Sequence, residues 1–346
     1  MKTEAFVEFL YEYGLFLAKA VTLVAAFVLV LAAIAGIASK QKQGKGHLEI
    51  TSISDQLKDI TDYARQVILD KASLKKLAKS QKQQQKQSKA EKDNQSGRLY
   101  VIDFKGSMDA HEVERLREEV TAVLCIAEKQ DEVLVKIESG GGVVHGYGLA
   151  AAQLKRIKDK GLPLTVAVDK VAASGGYMMA CVADKLLASQ FAIIGSIGVL
   201  AQLPNFHKLL KKNDIEFEQH TAGEYKRTLT VFGENTDEGR EKFQQELEAV
   251  HDMFKNWVSE NRSELDIEKV ATGEYWYGSQ ALALGLIDKI STSDDYIMSV
   301  FPDRDIFSVK YAVKKNVAEK LGMSFAQGAE RALLRVVNTL PAWFKR

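Results

Sequence analysis

Only two cysteines, Cys125 and Cys181, occur among the 346 residues, and both lie in apolar stretches. Two thiols are too few for a structural zinc site, and buried free thiols are expected rather than a disulfide. The six histidines form no HExxH and no His/Cys cluster, so no protein-bound metal is expected. The net charge is only +1, and no basic stripe is interleaved with aromatics, which argues against nucleic acid as a partner. A dinucleotide cofactor is excluded as well. The stretch from Gly146 to Ala151 matches G-x-G-x-x-A, but it lies within a helical pattern instead of following a strand. No cofactor of any kind is expected.

What is present is apolar surface, in a composition with 46% hydrophobic and 27% charged residues, well able to bury a core. After a mixed polar flank (1–14), residues 15–39 form an apolar segment. Its last 20 residues, Ala20 to Ser39, carry no formal charge. At 1.5 Å per residue they span roughly 30 Å, the hydrocarbon thickness of a bilayer. A cleaved signal peptide has a shorter apolar core behind a basic region, whereas Glu4, Glu8 and Glu12 precede this one. The expectation is a single transmembrane helix that anchors the chain in a lipid bilayer. Lys40, Lys42 and Lys45 outnumber Lys2 and Lys19, a slight lean toward a cytoplasmic main domain.

Residues 40–97 read as a connecting region. His47 to Ile68 has the spacing of an amphipathic helix, and Lys71 to Asn94 holds eight lysines with almost nothing to bury. That second stretch reads as a solvated helix or linker. A domain boundary near Gly97 follows.

Over 98–300, strand-like and helix-like segments alternate: Leu99–Phe104, Met108–Glu128, Glu132–Ile137, Val143–Lys160 and Leu164–Val168. Such alternation predicts an α/β domain with parallel pairing. Leu186 to Leu203 is a second uncharged run, but Ser189, Gln190, Gly195, Ser196, Gly198 and Gln202 interrupt it. A buried strand and turn is expected there, not a membrane span. Further on, Pro204–Lys212 reads as a short helix, Ile215–His220 as a strand and Asn235–Asn261 as a long amphipathic helix. Tyr275–Tyr277 reads as a turn, ahead of a helix over Ser279–Leu284. The C-terminal part, 301–346, is expected to form a strand at Ile306–Val313 and an amphipathic helix.

Three segments are candidates for convergence at the carboxyl ends of strands, where ligands collect in α/β sheets. They are Gly140–Gly142, the turn Ala172-Ala173-Ser174-Gly175-Gly176, and the loop holding Lys226. The small-residue turn has no acid, base or thiol, so Ser174 is its only candidate nucleophile. The N–H groups of Gly141 or Gly142 and of Gly175 are candidates for an oxyanion pocket, because glycine lets backbone crowd a substrate. Neither His145 nor His220 is placed as a base. A desolvated lysine can replace histidine, but no spacing rule selects Lys226 from the 47 basic residues.

In order along the chain, ESGGGVVHGYG, DKVAASGGYMMA, GSIGV and AGEYKRTL resemble the signature segments of the membrane-anchored Ser–Lys serine peptidases typified by signal peptide peptidase A. Within that family, the N-terminal anchor and lysine-rich linker resemble the SohB-type members. The resemblance implies a Clp protease/crotonase-like superhelix of ββα units that assembles into homo-oligomeric rings. It also implies the inner membrane of a bacterium, with the soluble domain periplasmic, against the lean of the lysines. It places the nucleophile at Ser174, the general base at Lys226 and a lysine-orienting serine at Ser196. The family's Ser-Pro-Gly-Gly turn falls on Ser139 to Gly142, with Gly140 where proline is usual, a departure that loosens the turn. The implied activity is endopeptidase cleavage of hydrophobic peptides, such as signal peptides or membrane-protein fragments. Kinship with crotonases raises an acyl-CoA enzyme, but those need neither a Ser–Lys pair nor an anchor. The remaining alternative is a non-catalytic membrane scaffold or chaperone on the same fold.

Overall fold

The computed structural model describes residues 46–77, 79 and 97–313, with a few positions between 11 and 23. The 15–39 span lies mostly outside the described residues, as do most of the lysine-rich linker and the C-terminal helix. Among the described residues no helix is long and apolar enough to cross a membrane.

The first described strand, β1 (His47–Ser52), runs directly into helix α1 (Ile53–Ile68). An amphipathic helix was expected from His47, so its first six residues are corrected to a strand. The cause is local: Ser52 caps the helix, its Oγ accepting the Asp55 N–H at 3.0 Å, so winding begins only at Ile53.

Four elements then alternate as the sequence predicts: β2 (Leu99–Lys105), α2 (Val113–Ile126), β3 (Glu132–Glu138) and α3 (Val144–Asp159). Helix α2 starts five residues later than expected. Ser107 to Glu112 instead form a tight turn in which the Ser107 N–H and Oγ both donate to Glu112 Oε2, at 3.0 and 2.8 Å. Strand β4 (Leu164–Val168) follows α3, and beyond it lie the short β5 (Val171–Ala173), α4 (Gly175–Ala180), β6 (Lys185–Ala188) and β7 (Ile193–Gly195). Helices α5 (His207–Lys212), α6 (Asp237–Asn261) and α7 (Ile267–Val270) come next, followed by β8 (Tyr275–Tyr277) and α8 (Gly278–Ala283). The described chain closes with β9 (Lys289–Ile290), α9 (Ser293–Val300) and β10 (Ile306–Ala312).

Seven strands form one sheet in the order β1-β10-β2-β3-β4-β6-β9, and β10, β2, β3, β4, β6 and β9 pair in parallel. Strand β10, expected to belong with the C-terminal segment, therefore sits inside the domain's sheet, with Ile306 opposite Leu99. Alternate residues of β2 divide between two cores, as the two-residue period of a strand requires. Tyr100, Ile102 and Phe104 pack with helices α2 and α3, while Leu99 and Val101 meet Ile297 of α9, with Ile53 and Leu57 of α1 against them. Both faces are covered, which explains why these strands read as unbroken apolar runs.

A second sheet has three strands, β5-β7-β8, with β5 parallel and β8 antiparallel to β7. Tyr275–Tyr277, expected as a turn, is thus an edge strand. Conversely, Ile215–His220 forms no strand and is exposed. Within the apolar run Leu186–Leu203, Leu186, Leu187, Ala188 and Ile194 are buried in β6 and β7, as expected of a buried strand and turn, whereas Phe191, Leu200 and Leu203 are exposed.

Candidate active site

The strand feeding Ser174 is β5 in the small sheet, not β4 as the sequence suggests. Two residues separate them, Asp169 and Lys170, and the chain changes sheet there. Ser139, at the end of β3, bridges the two layers. Its N–H donates to Val171 O at 2.9 Å and its carbonyl accepts from Ala173 N at 3.0 Å. This bridge carries the Gly140–Gly142 turn alongside β5.

Ser174 occupies the single residue between β5 and α4, with φ 51° and ψ −119°. A non-glycine residue rarely adopts such a backbone, and a side chain held there indicates that the surrounding structure overrides local strain. A sharp strand-to-helix corner of this kind lifts a side chain out of the sheet, as in nucleophile elbows on other folds. The half-buried Ser174 makes no side-chain hydrogen bond among the described residues, while its N–H donates to Gly195 O at 2.7 Å.

That bond ties Ser174 to the second serine turn. Ala173 pairs with Gly195 in parallel register, so Ser174 and Ser196 are the next residues on neighbouring strands. Ser196 is also at positive φ, 53°, fixed by its N–H bond to Glu274 O at 2.7 Å. Its hydroxyl points to Gly273 O at 3.4 Å.

The glycines are required by close approach. Gly141, at φ 87°, lies against the serine: a Cβ there would be 2.7 Å from both Ser174 Cβ and Gly175 N. At Gly175 a Cβ would run into the ring of Tyr147, and at Gly142 into the carbonyl of Met108. Gly141 and Gly175 are thus brought together with Ser174, while Gly142 is fixed against the backbone of Met108. Their N–H groups differ. That of Gly141 donates to Ser139 Oγ at 3.1 Å, whereas Gly175, in the first turn of α4, has no partner inside its helix.

Lys226 is not part of this cluster within one chain. It lies in an exposed turn closed by its own N–H to Gly223 O at 3.2 Å, and its ammonium is outside hydrogen-bonding range of Ser174 Oγ. The segment around it is exposed and apolar, with Leu200, Leu203, Phe206, Ile215, Phe217 and Phe232 all open.

Sequence reasoning missed Tyr147 and the hydroxyl of Ser139. Both are buried; their oxygens lie 2.5 Å apart, and Tyr147 Oη donates to Ser107 O at 2.7 Å. Burial raises the Tyr147 phenol above the ordinary tyrosine range, keeping it a neutral donor. The clue was an aromatic in the first turn of a helix that follows a glycine run, which by itself has no functional meaning. The nearest thiol in the sequence, Cys181, is buried, and desolvation pushes it up to about 12. No cluster of metal-ligating side chains exists among the described residues.

The model of the peptidase family S49 N-terminal region matches residues 8–154, and that of peptidase family S49 matches 156–306. A probable protease SohB of Haemophilus influenzae is 46% identical over 337 residues, covering 94% of each chain. Another from Buchnera aphidicola subsp. Acyrthosiphon pisum is 45% identical over 329 residues, covering 94% of this chain and 97% of its own. A putative signal peptide peptidase SppA of Enterococcus faecium is 28% identical over 187 residues, 53% of this chain and 54% of its own. Two family models that together span residues 8–306, and relatives matched over nearly their whole length, show that the chain belongs to peptidase family S49.

Proposed function

We propose that this peptidase is a membrane-anchored serine endopeptidase acting through a Ser174–Lys226 dyad. The observation that carries the reading is the backbone of Ser174, φ 51° and ψ −119°, with Gly141 pressed on it and Ser196 beside it. Neutral Lys226 takes the Ser174 hydroxyl proton, and Oγ attacks the scissile carbonyl. The oxyanion accepts from the Gly175 N–H and from the Gly140–Gly142 turn. Protonated Lys226 then gives its proton to the leaving amine, and water, activated by the same amine, clears the acyl-enzyme. Ser196 holds the amine toward Ser174.

In this reading the apolar segment at 15–39 anchors the chain in the bacterial inner membrane, and the substrates are hydrophobic peptides such as signal peptides or membrane-protein fragments. The exposed apolar segment from Leu200 to Phe232 is the contact through which copies assemble into a ring. Assembly buries that segment and carries Lys226 to a serine, which accounts for its distance from Ser174 in one chain.

Ser174→Ala and Lys226→Ala should each abolish cleavage of an apolar fluorogenic peptide in folded protein. Undiminished turnover in either variant refutes the dyad. If the lysine comes from a neighbour in a head-to-tail ring, mixing the two dead variants after subunit exchange restores about a quarter of the sites. A fluorophosphonate probe that leaves Ser174 unlabelled would favour a non-catalytic scaffold instead.

A further inference from the structure

From the chain of hydroxyls behind the glycine turn we infer that Tyr147, acting through Ser139, is a positioning residue that holds Gly141 against Ser174. The inference rests on Ser174 being the nucleophile.

The direction of each hydrogen bond follows from counting protons. Tyr147 has one hydroxyl proton, and Ser107 O, 2.7 Å away, can only accept it. Ser139 Oγ, 2.5 Å from the phenol oxygen, must therefore be the donor in that pair. Its proton spent, Ser139 Oγ has only lone pairs to offer, and the Gly141 N–H at 3.1 Å fills one of them. The order that satisfies every group is Gly141 N–H to Ser139, Ser139 to Tyr147 and Tyr147 to Ser107 O. Both side chains are buried, which removes water as a competing partner.

The turn needs such a brace. Ser139 is followed by three glycines, Gly140 to Gly142, the residue type that loses most conformational freedom on ordering. A Cβ built on Gly140 meets nothing within 4 Å, so that side of the residue is open. Yet Gly141 must be held where no side chain fits, against Ser174 Cβ and Gly175 N. The same tyrosine restrains the other side of the corner, since its ring occupies the space a Gly175 side chain would need. Tyr147 thus bears on Gly175 directly and on Gly141 through Ser139.

The test is a double-mutant cycle of Tyr147→Phe and Ser139→Ala, assayed with an apolar fluorogenic peptide beside Ser174→Ala. Tyr147→Phe keeps the ring, and Ser107 O retains the Ala110 N–H at 3.1 Å, so the protein should fold. A turn displaced by a fraction of an ångström should lower kcat roughly 10- to 100-fold. KM should stay within about twofold, because ground-state contacts to substrate are untouched. Ser139→Ala should give a similar loss, and the double variant should be no worse than either single one, since both break one chain. Wild-type kcat in Tyr147→Phe, a loss confined to KM, or losses that multiply in the double variant would each overturn the inference. Should Ser139→Ala fail to fold, the kcat-against-KM split of Tyr147→Phe decides alone. Activity persisting in Ser174→Ala would instead remove the nucleophile assignment, a separate failure.

Discussion

Gly141→Ala is the substitution whose outcome the geometry specifies most closely. The added methyl would stand 2.7 Å from Ser174 Cβ and Gly175 N and 2.8 Å from Ala173 O, against the 3.4 Å at which ordinary contact begins. None of the three is the end of a flexible side chain, so the turn itself must retreat by about 0.7 Å. A displacement near 1 Å at reacting groups costs up to roughly 100-fold in rate, and kcat should fall by about 10- to 100-fold. Alanine at the φ of 87° adds about 1–2 kcal/mol of backbone strain. With the crowding, the total is about 2–4 kcal/mol, lowering Tm by roughly 5–15 °C. The assay is peptide hydrolysis at 20 °C, where the variant remains folded, with fluorophosphonate labelling of Ser174 in parallel. Gly148→Ala is the control: a Cβ there meets nothing within 4 Å, and the residue lies inside α3. It should raise stability by up to about 1 kcal/mol and leave kcat unchanged. Full kcat in Gly141→Ala would show that the glycine turn does not rest on Ser174 in the working enzyme.

Two further outcomes concern stability. Burial raises Cys181 from an ordinary 9.0 to about 12, and burial with the Glu132 contact raises Tyr296 from 10.0 to about 12. Both groups hold their protons longer in the fold than in the unfolded chain. Their stabilising contribution is therefore whole below pH 9 and is lost as pH rises toward 12. Urea unfolding at pH 10.5 should show about 2 kcal/mol lost through Cys181 alone. Cys181→Ala should flatten the slope between pH 8 and 10.5, and an unchanged slope would contradict the assignment. Arg262 makes paired bonds to Asp288 at 2.7 and 3.0 Å and one to Gly285 O at 3.1 Å, while Asp288 Oδ2 also accepts the Leu186 N–H. Burial opposes ionisation of Asp288, but these donors hold its carboxyl below the ordinary range. Arg262→Ala should cost about 2–3 kcal/mol in urea titration at pH 7, less than a fully buried pair because Asp288 is partly solvated. A change under about 0.5 kcal/mol would place the pair among inconsequential surface contacts.

The elements that were legible share one property: each declares itself within its own residues. Strands β2, β3 and β4 are unbroken apolar runs because both faces are covered, and α3 and α6 show helical spacing over long stretches. The misreadings occur where a distant partner or a cap decides. Tyr275–Tyr277 is a strand only because β7 offers an edge, with Ile194 opposite Trp276. Ile215–His220 has a strand's composition but stays exposed and pairs with no strand among the described residues. His47–Ser52 fits a helical pattern, but the Ser52 cap sets the start of α1 after it.

By itself, the sequence determined the α/β class, the serine in its small-residue corner and the family signatures, because local composition and order are properties of the chain. Only the tertiary structure decided that β5 belongs to a second sheet, that parallel pairing sets Ser174 beside Ser196, and that Gly141 closes on Ser174. It alone joined Ser107, Ser139 and Tyr147 into one hydrogen-bonded chain, and it left Lys226 outside that group. Such juxtapositions depend on sheet register and on proton direction between residues up to 40 positions apart, which no local pattern encodes.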